Sequence, residues 1–182
     1  SRIVDDARRF PEIPLLQIYA GLFHLHFQIR PTIARANRYF KRAEQLPMNQ
    51  LEKSLLYAAG IWQQGHHLSA LSHFERHCRT CPTDIASIKV TEFLYYCTGQ
   101  KHFAERFLDL CQYCYPYHKD SAHFLSIYSY ALELSGDYLG STAIAEKSIE
   151  LDPQNPWAYH TLSHCYISTG DIAQGIHILN QA

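Results

Sequence analysis

The stretch Tyr130-Ala131-Leu132-Glu133-Leu134-Ser135-Gly136-Asp137-Tyr138-Leu139-Gly140-Ser141 decides the fold of this chain. An apolar helical run stops at Gly136, and a small residue, Ser141, follows five positions later. The same arrangement recurs as Gly65 with Ala70, Gly99 with Ala104 and Gly170 with Gly175. The intervals between the four glycines are 34, 37 and 34 residues. Glycine permits the left-handed backbone that ends a helix, so each marks the turn of a helical hairpin. A fixed period of this length is the mark of stacked hairpins, each burying its apolar face against the next.

Working outward from these turns places the rest of the chain. Unit two, residues 51–84, carries Ala58, Gly65, Ala70, Phe74 and Pro82. Unit three, 85–121, carries Gly99, Ala104, Leu108, Cys111 and Pro116, with three extra residues in a loop around Tyr117–Ser121. Unit four, 122–155, carries Ser129, Gly136, Ser141, Ala145, Ser148 and Pro153. Unit five, 156–182, is truncated and carries Tyr159, Leu162, Ser163, Tyr166, Gly170, Gly175, Leu179 and Ala182. Unit one, 17–50, is looser: Ala36, Phe40 and Ala43 match, with Pro31 at the turn position and Pro47 at the close. Small residues let two helices approach, large apolar residues at helical spacing fill the layer between hairpins, and proline ends the second helix. Residues 1–16 read as the last helix of a preceding hairpin, with Ile3, Val4, Ala7 and Phe10 before Pro11 and Pro14. The chain starts at Ser1 and stops inside a repeat, which reads as a piece of a longer parent.

This pattern resembles the tetratricopeptide repeat (TPR). The expected fold is all-α: a right-handed α-α superhelix, a TPR-like solenoid of about five hairpins plus a leading helix. Residues from about 82 to 180 also resemble the tetratricopeptide repeat protein 38 family. The resemblance rests on Pro82-Thr83-Asp84, Tyr95-Tyr96-Cys97-Thr98-Gly99, Gly136-Asp137-Tyr138 and Trp157-Ala158-Tyr159-His160-Thr161-Leu162-Ser163-His164. It implies the fold and a longer parent chain, with no biochemical activity to carry over.

Composition narrows the function classes. The chain has 182 residues, 47% apolar and 18% charged, enough for a sizeable core. No run of about 18 apolar residues is present, which argues against a membrane partner. A net charge of −1 with histidine neutral argues against a dedicated nucleic-acid binder. Arg30, Arg35, Arg38, Lys41 and Arg42 form one local basic run, read as a solvated face, with a phosphate-contacting stripe as the alternative. Six cysteines in a long helical chain read as reduced thiols, which places the protein in the cytoplasm. No phosphate-binding glycine loop, nucleophile elbow or dinucleotide fingerprint is present. No cofactor is expected.

In such an array the first helix of each hairpin lines the concave face. Residues placed there by repeat position are Trp62, Lys89, Phe93, Tyr96, His123, Tyr130, Glu133, Trp157, His160 and His164. Aromatic anchors among a few polar groups suit a peptide or a partner helix. The expected function is therefore a non-enzymatic protein-interaction scaffold that binds a peptide or partner protein in this groove. His160 and His164 stand four apart and share a helix face, with Glu133 at the facing position of the preceding hairpin. Two imidazoles and a carboxylate are a conceivable metal or acid–base set, so an enzyme site at Glu133, His160 and His164 is the first alternative. A purely architectural segment is the second. The pairs Cys78/Cys81 and Cys111/Cys114 fall near the ends of second helices and read as buried structural thiols, with a four-thiolate zinc site as the alternative. His77 reads as a satisfied inter-helix histidine. The apolar edge of the truncated last unit points to a dimer.

Overall fold

In a computed structural model, which describes residues 1–99 and 102–181, the described residues form eleven helices. They divide into two compact units, Ser1–Thr98 and Gly99–Ala182. Ala182, expected to complete the last repeat, lies outside the described residues.

The first unit holds α1 (Arg2–Arg9), α2 (Pro14–Leu25), α3 (Arg30–Glu44), α4 (Gln50–Gln63), α5 (His67–Thr80) and α6 (Ile85–Gly99), which ends at the boundary. Helices α2 and α3 pack as one hairpin, α4 and α5 as the next, and α2 also meets α4. The leading helix lies on α2, where Val4, Ala7 and Ala20 form a small apolar cluster. Ile18, Leu25, Leu55, Leu71, Phe74, Ile88 and Leu94 are fully buried in this unit. Helix α4 begins with a capping box: the Glu52 N–H donates to the Asn49 side chain, and the Asn49 N–H donates to Glu52.

The second unit holds α7 (Ala104–His118), α8 (Ala122–Leu134), α9 (Tyr138–Leu151), α10 (Pro156–Thr169) and α11 (Ile172–Leu179). Helices α8 and α9 form one hairpin and α10 and α11 another, with α10 resting on both α8 and α9. The fourth-unit hairpin closes on serines rather than alanines. Ser141 Oγ donates to Ser129 O at 2.8 Å, and Ser148 Oγ donates to Ala122 O at 2.8 Å. A short side chain permits the close approach, and its hydroxyl finds a carbonyl on the partner helix, so neither serine hydroxyl is left unsatisfied.

All four period-setting glycines have positive φ: +86° at Gly65, +117° at Gly99, +85° at Gly136 and +89° at Gly170. Three of them share one hydrogen-bond pattern. The N–H after the glycine reaches back five residues, His66 to Ile61, Asp137 to Leu132 and Asp171 to Tyr166. The glycine N–H reaches back three, to Trp62, Glu133 and Ile167. This is the Schellman ending, which satisfies the last carbonyls of a helix. The aspartate after the glycine then caps the next helix, Asp137 accepting from Gly140 N and Asp171 from Gln174 N. A Gly-Asp pair thus ends one helix and starts another within two residues.

Two turn positions differ from the sequence expectation. Pro31 sits in the first turn of α3, where its fixed φ and missing N–H cost nothing, and the left-handed residue of that connection is Gln28 at φ 53°. Pro116 lies inside α7, which continues to His118. It falls in the last turn, so little helix remains beyond it to disrupt. Pro82 and Pro153 do follow the ends of their helices, α5 and α9.

Candidate functional site

Helices α8 and α10 pack side by side and bring four of the expected groove residues into one row. Glu133 Oε1 lies 3.8 Å from His164 Nδ1, in ion-pair range. His164 Nε2 lies 3.0 Å from His160 Nε2, with the rings edge-on. The His160 ring in turn stacks on Trp157 at 6.2 Å between centroids. Trp157 is 54% exposed, His160 is exposed and the Glu133 carboxylate is largely covered.

The local sequence explains the row. Asn155 caps α10 by accepting from Trp157 N, Pro156 occupies its first turn, and the left-handed Gly170 ends it. Within α10, Ala158, Leu162 and Cys165 point inward, and Trp157, His160 and His164 fall on the opposite, outward face of the helix. The carboxylate favours a proton on His164 Nδ1, which leaves Nε2 as an electron-pair donor. His160 Nε2–H can then donate to it.

His123 lies on the same helix as Glu133 and is exposed. Tyr130 is half-buried, its ring against the edge of Phe107 at 6.1 Å. The remaining expected residues belong to the first unit. Tyr96 is exposed on α6. Lys89 pairs with Glu92 one turn on, at 2.5 Å. Phe93 is half-buried and lies on the His26 ring at 3.8 Å between centroids. Burial, together with the Lys89 charge, pushes the His26 pKa below the usual imidazole value. Trp62 is 1% exposed, enclosed by His26, Phe74 and Phe93. It is a core residue and offers no binding surface.

The first unit also holds a polar cluster that the sequence signalled only in part. His77, 4% exposed, donates from Nε2 to Asp84 Oδ2 at 3.1 Å. Asp84 also accepts from Ser87 Oγ at 2.6 Å, from Ser87 N at 3.1 Å and from the Tyr19 hydroxyl. Burial alone would raise the Asp84 pKa; the hydrogen bonds from His77, Ser87 and Tyr19 outweigh it and hold the carboxyl below the usual range. Burial and the neighbouring carboxylate push Tyr19 far above an ordinary phenol. A cavity of about 290 Å³ adjoins the cluster, lined by Leu15, Tyr19, Leu51, Glu52, His77 and Asp84 among others. The available signal was Asp84 three residues before Ser87, a helix-capping spacing.

Cys78, Cys111 and Cys114 are buried and Cys81 is partly so, all as free thiols. Among the described residues, no group of three or more His, Cys, Asp or Glu is arranged to hold a metal. No helix of the described residues is long and apolar enough to cross a membrane.

With this geometry in hand, comparison with known proteins places the architecture. Residues 132–182 match the family model described as Tetratricopeptide repeat. A thermophilic TPR protein of Thermus thermophilus superposes with a TM-score of 0.67 at 17% identity, covering 93% of this chain and 92% of that one. The fold is that of a TPR array. MamA from Desulfovibrio magneticus RS-1 superposes with a TM-score of 0.61 at 13% identity, over 90% of this chain and 92% of the other. A further MamA crystal structure gives 0.58 at 14% identity, over 84% and 87%. At these identities the likeness is one of fold. The TPR register accounts for the buried small residues Ala70, Ala104, Ser141 and Gly175, each five positions after its turn glycine.

Proposed function

We propose that this TPR array is a non-enzymatic protein-interaction module that takes a peptide or a partner helix on the face formed by α8 and α10. The carrying observation is the row Glu133–His164–His160–Trp157, which presents an exposed aromatic ring beside paired imidazoles. An exposed indole flanked by hydrogen-bonding groups has the composition of an interface hot spot. Tyr130 and His123 extend the same proposal along α8. Within the first unit, Tyr96, Phe93 and Lys89 on α6 are proposed as binding residues in their own right. Kinship with the tetratricopeptide repeat protein 38 family is proposed on the Trp157-x-x-His160-x-x-x-His164 order; a search of full-length relatives lacking that order would remove it.

The test is selection of binding peptides against the purified chain, followed by affinity measurement. Replacing Tyr130 and His164 together with Ala is expected to weaken the selected peptides at least tenfold while circular dichroism stays unchanged. Unchanged affinity would sink the assignment of this face. Self-association is proposed for a different surface, where Ile172, Ile176 and Leu179 of α11 are half-exposed. Sedimentation that shows only monomer at high concentration would remove it.

A further inference from the structure

We infer that His160 and His164 form a two-imidazole chelate for a divalent transition-metal ion, backed by Glu133. Two nitrogens each about 2.0–2.1 Å from one ion, at a square or tetrahedral angle, lie about 2.9–3.4 Å apart. The Nε2 atoms of His160 and His164 are 3.0 Å apart. Helix α10 therefore holds the rings at the bite of a chelate, and an ion enters by displacing the proton they share.

The second observation is which nitrogen the carboxylate faces. Glu133 Oε1 approaches Nδ1 of His164, on the far side of the ring from His160. Glu133 is thus an outer carboxylate rather than a third ligand. A carboxylate on the unligated nitrogen fixes the tautomer and raises the basicity of the ligating one. The remaining coordination positions fall to water, in keeping with the lack of a third protein donor group among the described residues. Imidazole donors select Zn²⁺, Ni²⁺ and Cu²⁺ over the oxygen-seeking ions, with Cu²⁺ bound most tightly.

The other pair at this spacing shows why the first is singled out. His77 gives its Nε2 to Asp84 and is buried, and His73 Nδ1 is 2.6 Å from Arg76. Neither ring is placed to chelate. His160 and His164 lie on a helix face that solvent reaches.

The experiment is calorimetric titration of the untagged chain with Zn²⁺ alone, and with Ni²⁺ followed by tryptophan fluorescence. Trp157 stacks on His160, so Ni²⁺ held there should quench it, while Trp62 is enclosed in the core of the first unit. One saturable site per chain is expected, weakened at least tenfold by His160→Ala and equally by His164→Ala. Both substitutions replace helix-surface residues with a strong helix former, so the fold should survive. His73→Ala should leave the site intact, and Trp157→Phe should abolish quenching while calorimetry still finds the ion. Glu133→Gln should weaken binding by about 10-fold or more. Zn²⁺ binding that is absent, or unchanged in both His160→Ala and His164→Ala, overturns the chelate. An unchanged affinity in Glu133→Gln overturns the role given to the carboxylate.

Discussion

Replacing Asp84 with Ala should be among the most damaging single changes in the first unit. The carboxylate accepts from His77 Nε2 at 3.1 Å, from Ser87 Oγ at 2.6 Å, from Ser87 N at 3.1 Å and from the Tyr19 hydroxyl. Its loss strands an imidazole that is 4% exposed and a half-buried phenol. Each buried donor left unsatisfied costs about 1–3 kcal/mol, which for the imidazole and the phenol together comes to about 2–6 kcal/mol. The adjoining cavity can admit water to the stranded groups, which pulls the figure toward the low end, about 3 kcal/mol. For a unit of this size that corresponds to a drop of roughly 12–24 °C in its melting temperature. Because the chain has two compact units, the first must be followed by its own probe. Trp62 is that probe, in a Trp157→Phe background, with guanidinium unfolding read by fluorescence. The cycle with His77→Leu should be sub-additive by about 1 kcal/mol or more, since each substitution removes the same contact. A loss under about 1 kcal/mol for Asp84→Ala, or strict additivity, would refute the reasoning. Acid adds an independent check. A folded-state pKa held below the unfolded value of about 3.9 gives stability that is present above that pH and lost as pH falls through the folded value. Asp84→Asn should therefore flatten the acid limb of this unit.

Two glycine substitutions should move stability in opposite directions. Gly136→Ala forces a Cβ into a left-handed conformation, φ +85°, and should lower the stability of the second unit by about 1–2 kcal/mol. Gly60→Ala lies inside α4, where an added Cβ meets nothing within 4 Å, and should raise the stability of the first unit by about 0.5–1 kcal/mol. Equilibrium unfolding of each variant measures both, and a shared sign would contradict the turn assignment.

The turns were legible in the sequence because a left-handed helix ending is a local demand that glycine alone meets cheaply. Gly65, Gly136 and Gly170 each end a helix in the same way, and the following aspartate caps the next at Asp137 and Asp171. Pro31 misled because proline marks the start of a helix as readily as a break between helices. Trp62 misled for a different reason. Repeat position states which way a Cα–Cβ bond points, while burial depends on what arrives to cover it, here His26 and Phe93.

By itself, the order of residues determined the hairpin period, the helix on which each candidate side chain stands, and the shared face of His160 and His164. Those properties follow from backbone geometry and reach only a few residues along the chain. Tertiary packing decided the rest. It set Glu133 against Nδ1 of His164 rather than beside Nε2, and it joined His77 of α5, Asp84 just before α6 and Tyr19 of α2. Which ring nitrogen faces a carboxylate is set by how α8 packs against α10, and side-chain spacing along one helix carries no information about the helix that packs against it.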